Sequence, residues 1–453
     1  MNRRDFLKNS GAGFAVLSFP KLWPFKAESD NQTACTKPNI IFILTDDVGL
    51  GDISCCGGTN FKTPNIDKLA ETGTRFEYAF SPPICGPTRC QVLTGRYPFR
   101  TGLITNRSAD AIHPSREVMM PTVLKKAGYI TAHCGKWGQM SLGPGEWGFD
   151  QYLVYENSGI YWRSQTPSYI QNGKTMDFPE DKYMPDLMHD FVVDFITANK
   201  DKPFYVHYSM SQMHSKIMRT PDSKEGAGKD EFYADNIAYM DKLVGKLTDE
   251  LDRLKLREKT LIIFTGDNGT SATVNAPVNG KPLSGCKGTM REGGSREPLI
   301  VNWQGTTPAG KVNHDLTDFS DFFVTFADLA GAKLPEGVVL DGQSFAPQIR
   351  GLTGKPREWV YVEHNGRSYV RNARWKLTNN GEFFDMKEAP FNEIPVPEST
   401  TDNEAIAGRK RLKEILDKLP TAPSIDSGEK KKKPDNKPGK KAKNKVVSEN
   451  EQT

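Results

Sequence analysis

Residues Pro38–Asp47 read PNIIFILTDD, an unbroken apolar, β-branched run that stops abruptly at two acids. A strand with one face in water alternates polar and apolar residues, whereas a strand covered on both faces reads as this one does. Residues 260–269, TLIIFTGDNG, repeat the pattern and stop at Asp267 and Asn268. Between the two, helical patterns at Asn65–Gly73 and Pro121–Gly128 alternate with short apolar runs at Tyr129–Cys134 and Phe204–Tyr208. That alternation specifies an α/β class, a large and mainly parallel sheet flanked by helices. Ligands of such sheets sit beyond the carboxyl ends of the strands, so Asp46, Asp47, Asp267 and Asn268 are expected to converge there. Three carboxylates and an amide oxygen form a hard donor set suited to Ca2+, or to Mg2+ in its place, without the thiolate or imidazole that a softer metal prefers. Either pair alone is ordinary turn chemistry. Delivery by two buried strands is what makes them candidate metal ligands.

Further along, Asp318–Leu334 reads as a helix closed by Gly331, and Pro335–Gly351 is rich in turn residues. From Glu358 on, WVYVE, SYVRNARWKLT and GEFFDM read as strands of a small C-terminal antiparallel sheet, with one helix at Asp402–Leu416 to cover it. A chain of 453 residues exceeds the ~250–300 residues at which single cores stop growing. The expected division is a large α/β domain over residues 36–350 and a small α+β subdomain over residues 351–423.

Hydrophobic residues make up 37% and charged residues 26%, ordinary for a globular protein, and no apolar run is long enough to span a bilayer. Residues 424–453 carry nine lysines against five acids, which accounts for the whole formal charge of +4. Such a Lys-, Pro- and Asn-rich segment cannot bury enough apolar surface to fold, and solvation rather than nucleic-acid contact is its expected state. Residues 1–30 open MNRRDFLKNSGAGFAVLSF, in which Arg3-Arg4, then Phe6-Leu7-Lys8 and a short apolar stretch resemble a twin-arginine export signal. That implies the twin-arginine export machinery as a partner and a bacterial periplasmic or extracellular location. Seven cysteines, at 35, 55, 56, 85, 90, 134 and 286, are too sparse for a disulfide scaffold. Their odd number leaves one over if the rest pair, and their pairing is not legible from spacing.

The stretch Ser81–Arg96, SPPICGPTRCQVLTGR, contains Cys85, Pro87 and Arg89 as C-x-P-x-R, followed by Leu93-Thr94-Gly95-Arg96. Here the chain resembles the type I, formylglycine-dependent sulfatases of the alkaline-phosphatase-like superfamily, from Asn39 to about Met386. The resemblance implies that Cys85 is oxidised to formylglycine by a formylglycine-generating enzyme, and that its hydrated aldehyde sits against calcium at a helix start, where backbone N–H groups favour an anion. It implies Asp46, Asp47, Asp267 and Asn268 as calcium ligands and Arg89 as the residue holding the formylglycine hydroxyl. Lys136 in GKW, His214 in SQMHSK and Lys287 in CKGTMREGGSREP match groups that bind the sulfate or the ester oxygen. Cations aimed at oxygens that gain charge as the S–O bond breaks act most strongly in the transition state. Histidine titrates near neutral pH, so His214 suits protonation of the leaving alcohol.

One departure stands out. Many members of that family read GKWH, with a histidine beside the formylglycine, where this chain has Gly135-Lys136-Trp137-Gly138-Gln139. Either a water, Gln139 or His133 takes its place, or the chain belongs to a branch of the family that never used that histidine. Around the site, Tyr155, Tyr161 and Trp162 are read either as sugar-stacking or as packing residues, and His364 and Arg367 as rim candidates in loops. The implied substrate is a sulfated carbohydrate or an aryl sulfate. A phosphonate or phosphate diester hydrolase of the same superfamily and a noncatalytic glycan-binding protein are the competing readings.

Overall fold

Ten strands form one sheet: β1 (Asn39–Thr45), β2 (Thr74–Phe80), β3 (Ile130–Gly135), β4 (Gln151–Val154), β5 (Ser168–Gln171), β6 (Lys174–Asp177), β7 (Phe204–Ser209), β8 (Thr260–Gly266), β9 (Arg296–Trp303) and β10 (Lys311–Asp318). Their spatial order is β10-β2-β9-β8-β1-β7-β3-β4-β5-β6. The computed structural model describes residues 37–424 apart from Gln139 and Asp230. The export signal read at residues 1–30 and the Lys-rich tail beyond Ser424 lie outside the described residues.

Strands β8, β1, β7, β3 and β4 run parallel, β9 is antiparallel to both its neighbours, and the β5–β6 hairpin closes one edge. Every residue of β1 and β8 is buried. Ile40, Phe42 and Leu44 pack into the core on one face of the sheet, and Ile41 and Ile43 into the core on the other. The continuous apolar run is therefore a consequence of helices on both faces, Met184–Ala198 and the 22-residue helix Phe232–Arg253 on the Ile41 face and Cys85–Thr94 and Asp321–Leu329 on the Phe42 face.

Register then sets the level at which the polar ends emerge. Thr45 pairs with Gly266, Leu44 with Ser209, and Gly135 with Ser209. Asp46, Asp267 and Lys136 each follow the last residue of their strand and leave the sheet at one level.

The second sheet is antiparallel, β11 (Val360–His364), β12 (Arg367–Arg371), β13 (Trp375–Thr378), β14 (Phe383–Asp385) and β15 (Ile394–Pro395) in that order. The helix Asn403–Leu416 covers it, its start capped by Asp402, which accepts from the Glu404 N–H at 2.9 Å. Ala405, Leu412 and Ile415 of that helix pack on Tyr361, Val370, Trp375, Leu377 and Phe383.

Two details of the sequence reading are corrected. Asp318 is the last residue of β10 rather than the start of a helix. The helix runs Asp321–Leu329, after a corner held by the Asp318 N–H on the Asp321 carboxylate at 2.9 Å. The segment SYVRNARWKLT is two strands, because Asn372 takes the N–H groups of both Arg374 and Trp375 on its side-chain oxygen and so makes a turn between them.

Candidate active site

Cys85 is the first residue of the helix Cys85–Thr94, all ten residues of which are buried. Pro87 falls in the first turn, where a missing N–H costs nothing. Gly95 ends the helix at φ +68°, and a Cβ there would stand 2.8 Å from Cβ of Phe323, so only glycine fits both the turn and the packing. The helix thus points its N-terminus, with its unsatisfied N–H groups, at the carboxyl end of the sheet.

Three cations meet three carboxylates around Cys85. Arg89 gives Asp267 Oδ2 two bonds, from Nε at 3.0 Å and Nη2 at 2.7 Å, and its Nη1 reaches Ser209 Oγ at 2.5 Å and the Lys136 carbonyl at 3.3 Å. Lys136 Nζ lies 2.6 Å from Asp46 Oδ2, with both side chains fully buried. Lys287 Nζ pairs with Asp47 Oδ1, which also accepts from the Asn268 amide at 2.9 Å. Asp47 sits at φ +62°, and its N–H donates to Asp267 Oδ1 at 3.1 Å. The four ligand candidates read from the sequence are therefore in one place, together with Cys85, Arg89, Lys136 and Lys287.

Burial, and next the neighbouring Asp46, push the Asp267 carboxyl above its usual range, against the pull of Arg89 and Lys136. Burial likewise pushes the Cys85 thiol up, so at neutral pH it is not a thiolate. Burial would lower the Lys136 ammonium and the Arg89 guanidinium, but Asp46 and Asp267 reverse that and hold both cations charged.

Asp46 Oδ1 and Asn268 Oδ1 are buried with no hydrogen-bond partner among the described residues. A carboxylate oxygen without a partner costs on the order of 1–3 kcal/mol or more, because it loses its water and gains nothing. Ligand atoms of Asp46, Cys85 and Asp267 lie within 4.8 Å of one another, as do those of Asp46, Asp47 and His214. Within those groups the carboxylate oxygens of Asp46 and Asp267, and of Asp46 and Asp47, are close enough to be shared by a cation with bonds of about 2.3–2.6 Å, so the carboxylates fit a hard divalent ion such as calcium.

His214 is half-buried, with Nδ1 2.6 Å from the Ser215 carbonyl. Because a carbonyl can only accept, that contact puts a ring proton on Nδ1. Its own carbonyl receives the Tyr161 hydroxyl at 2.9 Å. Tyr155 and Tyr161 are buried, with the Tyr155 hydroxyl on Ser211 Oγ at 2.6 Å, so both are packing residues and present no face to a sugar. Trp162 is partly exposed and donates to the Arg219 carbonyl at 2.7 Å.

His133 is enclosed by Trp137, Phe149 and His207, stacked on the last at 5.2 Å. Burial, helped by the charge of Arg89, drives its pKa down to about 3, so it is a neutral core residue. Gln139 lies outside the described residues. Gly138 is at φ +90°, a conformation a histidine rarely adopts, and a Cβ there would stand 3.1 Å from Arg89 Cδ. His364 and Arg367 face each other at the β11–β12 turn. Sequence reasoning missed Asn106, whose amide approaches Cys85 Sγ at 3.5 Å from a loop with no motif of its own. It also missed Ser209, whose only sequence signal was its place at the end of a buried strand.

The sulfatase family profile matches residues 38–332. N-acetylgalactosamine-6-sulfatase of Canis lupus familiaris is 33% identical over 355 residues, covering 70% of this chain and 67% of that protein. Arylsulfatase A of Homo sapiens is 32% identical over 381 residues, covering 75% and 74%. Among solved structures, Ps i-CgsB in complex with k-i-k-neocarrahexaose aligns with a TM-score of 0.74 at 28% identity, covering 84% of this chain and 92% of that one. The PsFucS1 sulfatase from Pseudoalteromonas sp. aligns with a TM-score of 0.71 at 27% identity, covering 84% and 89%.

Proposed function

The chain belongs to the sulfatase family, and from that premise we propose that it hydrolyses sulfate esters of a carbohydrate with a formylglycine made from Cys85 beside a bound calcium ion. The observation that carries this reading is the charge pattern at position 85. Three buried carboxylates are matched one to one by Arg89, Lys136 and Lys287, which leaves the buried Asp46 Oδ1 and Asn268 Oδ1 without partners among the described residues. A divalent cation satisfies those oxygens and turns a neutral pocket into one with a net charge of +2, which an anionic ester then balances.

Asp46, Asp47, Asp267 and Asn268 would hold the calcium, which supplies charge stabilisation at the reacting oxygens, as formylglycine supplies a hydrated aldehyde for attack on sulfur. Arg89 fixes Asp267 and so the ligand geometry. Lys136 and Lys287 bind the sulfate oxygens and gain most where negative charge grows. His214, with Nδ1–H tied to the Ser215 carbonyl, would give the leaving alcohol the second proton that its imidazolium form carries on Nε2, and would be left neutral.

A carbohydrate substrate is supported by the relatives' names and by the neocarrahexaose bound to Ps i-CgsB. The Arg3-Arg4 leader supports export through the twin-arginine route to the periplasm or beyond, after maturation by a formylglycine-generating enzyme. The test is release of inorganic sulfate from 6-sulfated N-acetylgalactosamine, sulfated galactose oligosaccharides and an aryl sulfate, set against matched phosphate diesters. Turnover of a sulfated sugar with phosphate diesters left intact is expected. Preferential turnover of the diesters would overturn the assignment.

A further inference from the structure

The helix that begins at Cys85 has no side-chain cap of its own, because its N-cap residue is Ile84. Asn106, from a turn twenty residues on, supplies the missing acceptor, its Oδ1 taking the Gly86 N–H at 2.9 Å. The other half of the same amide, Nδ2, faces Cys85 Sγ at 3.5 Å. The turn is tied internally by Thr105 N–H on Ser108 Oγ at 3.1 Å, Arg107 N–H on Thr105 Oγ1 at 3.0 Å and Ser108 N–H on the Thr105 carbonyl at 3.2 Å. Leu103 and Ile104, both buried, anchor it to the core. Asn106 itself is only half-buried.

In the enzyme as proposed, Cys85 Sγ stands in for an oxygen of the formylglycine hydrate. We propose that Asn106 is a further residue of the reaction centre, its Nδ2 donating to one hydroxyl of that hydrate and so fixing which of the two faces the sulfur. The inference rests on the formylglycine reading of position 85. It also accounts for the missing histidine. No side chain reaches the nucleophile from Gly138, whose left-handed backbone and closeness to Arg89 disfavour one. Asn106 provides a donor that does not titrate, so the contact holds at any working pH.

The two halves of the amide can be separated. Asn106→Asp keeps an oxygen for the Gly86 N–H but has no N–H to give, whereas Asn106→Ala loses both. Each variant is made with the modifying enzyme, and its rate is expressed per aldehyde counted by peptide mass. Asn106→Ala should melt lower than wild type and Asn106→Asp close to it, while both lose roughly 10- to 100-fold in kcat. The carboxylate of Asn106→Asp repels the sulfate before and during reaction alike and so acts on KM. The lost donor acts on kcat. Aldehyde-bearing Asn106→Asp with kcat within threefold of wild type would overturn the inference and leave Asn106 as a helix cap. An active wild type without the aldehyde would instead overturn the reading beneath it.

Discussion

At the joint between the two sheets, Glu292 receives Arg296 on one carboxylate oxygen and Arg371 on the other, and Lys376 is shared between Glu393 and the Met290 carbonyl. At the carboxyl ends of β1 and β8, Asp46 receives Lys136 on one oxygen and, among the described residues, nothing on the other. Both regions bury charge to a similar depth. Burial raises the Glu292 carboxyl, but Arg371 and Arg296 overcome it and hold the group below its usual range. Asp267 at the other pole is held above its range by burial and by Asp46. A network whose every lone pair is met rigidifies the fold. One left open carries a standing cost that a ligand can relieve. The joint holds the small sheet to the glycine-rich stretch that delivers Lys287, and the pole keeps open the oxygens that the proposed calcium would use.

The sharpest way to break this contrast is Asp267→Ala. Activity should fall by at least ~10³-fold, because the remaining ligands cannot alone hold the cation against water. Calcium should raise the melting temperature of wild type and leave that of the variant unchanged. Retained activity in a chelated, metal-free variant would place the pole among purely structural networks.

Arg371→Ala tests the other side. Removing one partner of a buried pair costs about 3–5 kcal/mol, so chemical denaturation should show a large loss of stability. The kcat per folded molecule should stay within about threefold of wild type. A selective loss of kcat would show that the joint also does chemistry.

Lys136→Ala should lower kcat/KM by roughly 10²–10³-fold, mostly in kcat, and Lys287→Ala by less, since Lys287 remains 20% exposed and its charge is better screened. Equal effects carried by KM alone would mean that the two lysines bind the ground state as well as the transition state.

The smallest effect concerns pH. Burial raises the Glu363 carboxyl to about 7, although it accepts the Phe99 and Ala422 N–H groups at 2.9 and 2.7 Å. A carboxyl raised in the folded state contributes stability that is full below its ordinary value of 4.5 and is lost as pH rises through about 7. Relative to Glu363→Gln, wild type should therefore lose up to about 3 kcal/mol between pH 4.5 and 8, read as a change in the gap between their denaturation midpoints. A gap independent of pH would contradict that environment.

Much of this architecture was open to reading because β1 and β8 are buried on both faces and end in acids, so one pattern carried both the fold and the candidate metal ligands. Strand β9, antiparallel in the middle of the sheet, was not legible. Its REPLIVNW contains a proline, and nothing local fixes strand direction. Lys136, His214 and Lys287 became visible through motif context alone, since a single lysine or histidine carries no periodic signal. Asn106 carried none of any kind, because its role depends on a turn brought beside a helix start twenty residues earlier.

The most direct test of the central claim is the mass of the peptide containing position 85, isolated from active enzyme made in its native host. The account predicts the aldehyde in place of the thiol, at a fraction that scales with specific activity across preparations. Fully active enzyme carrying an unmodified cysteine at position 85 would contradict it.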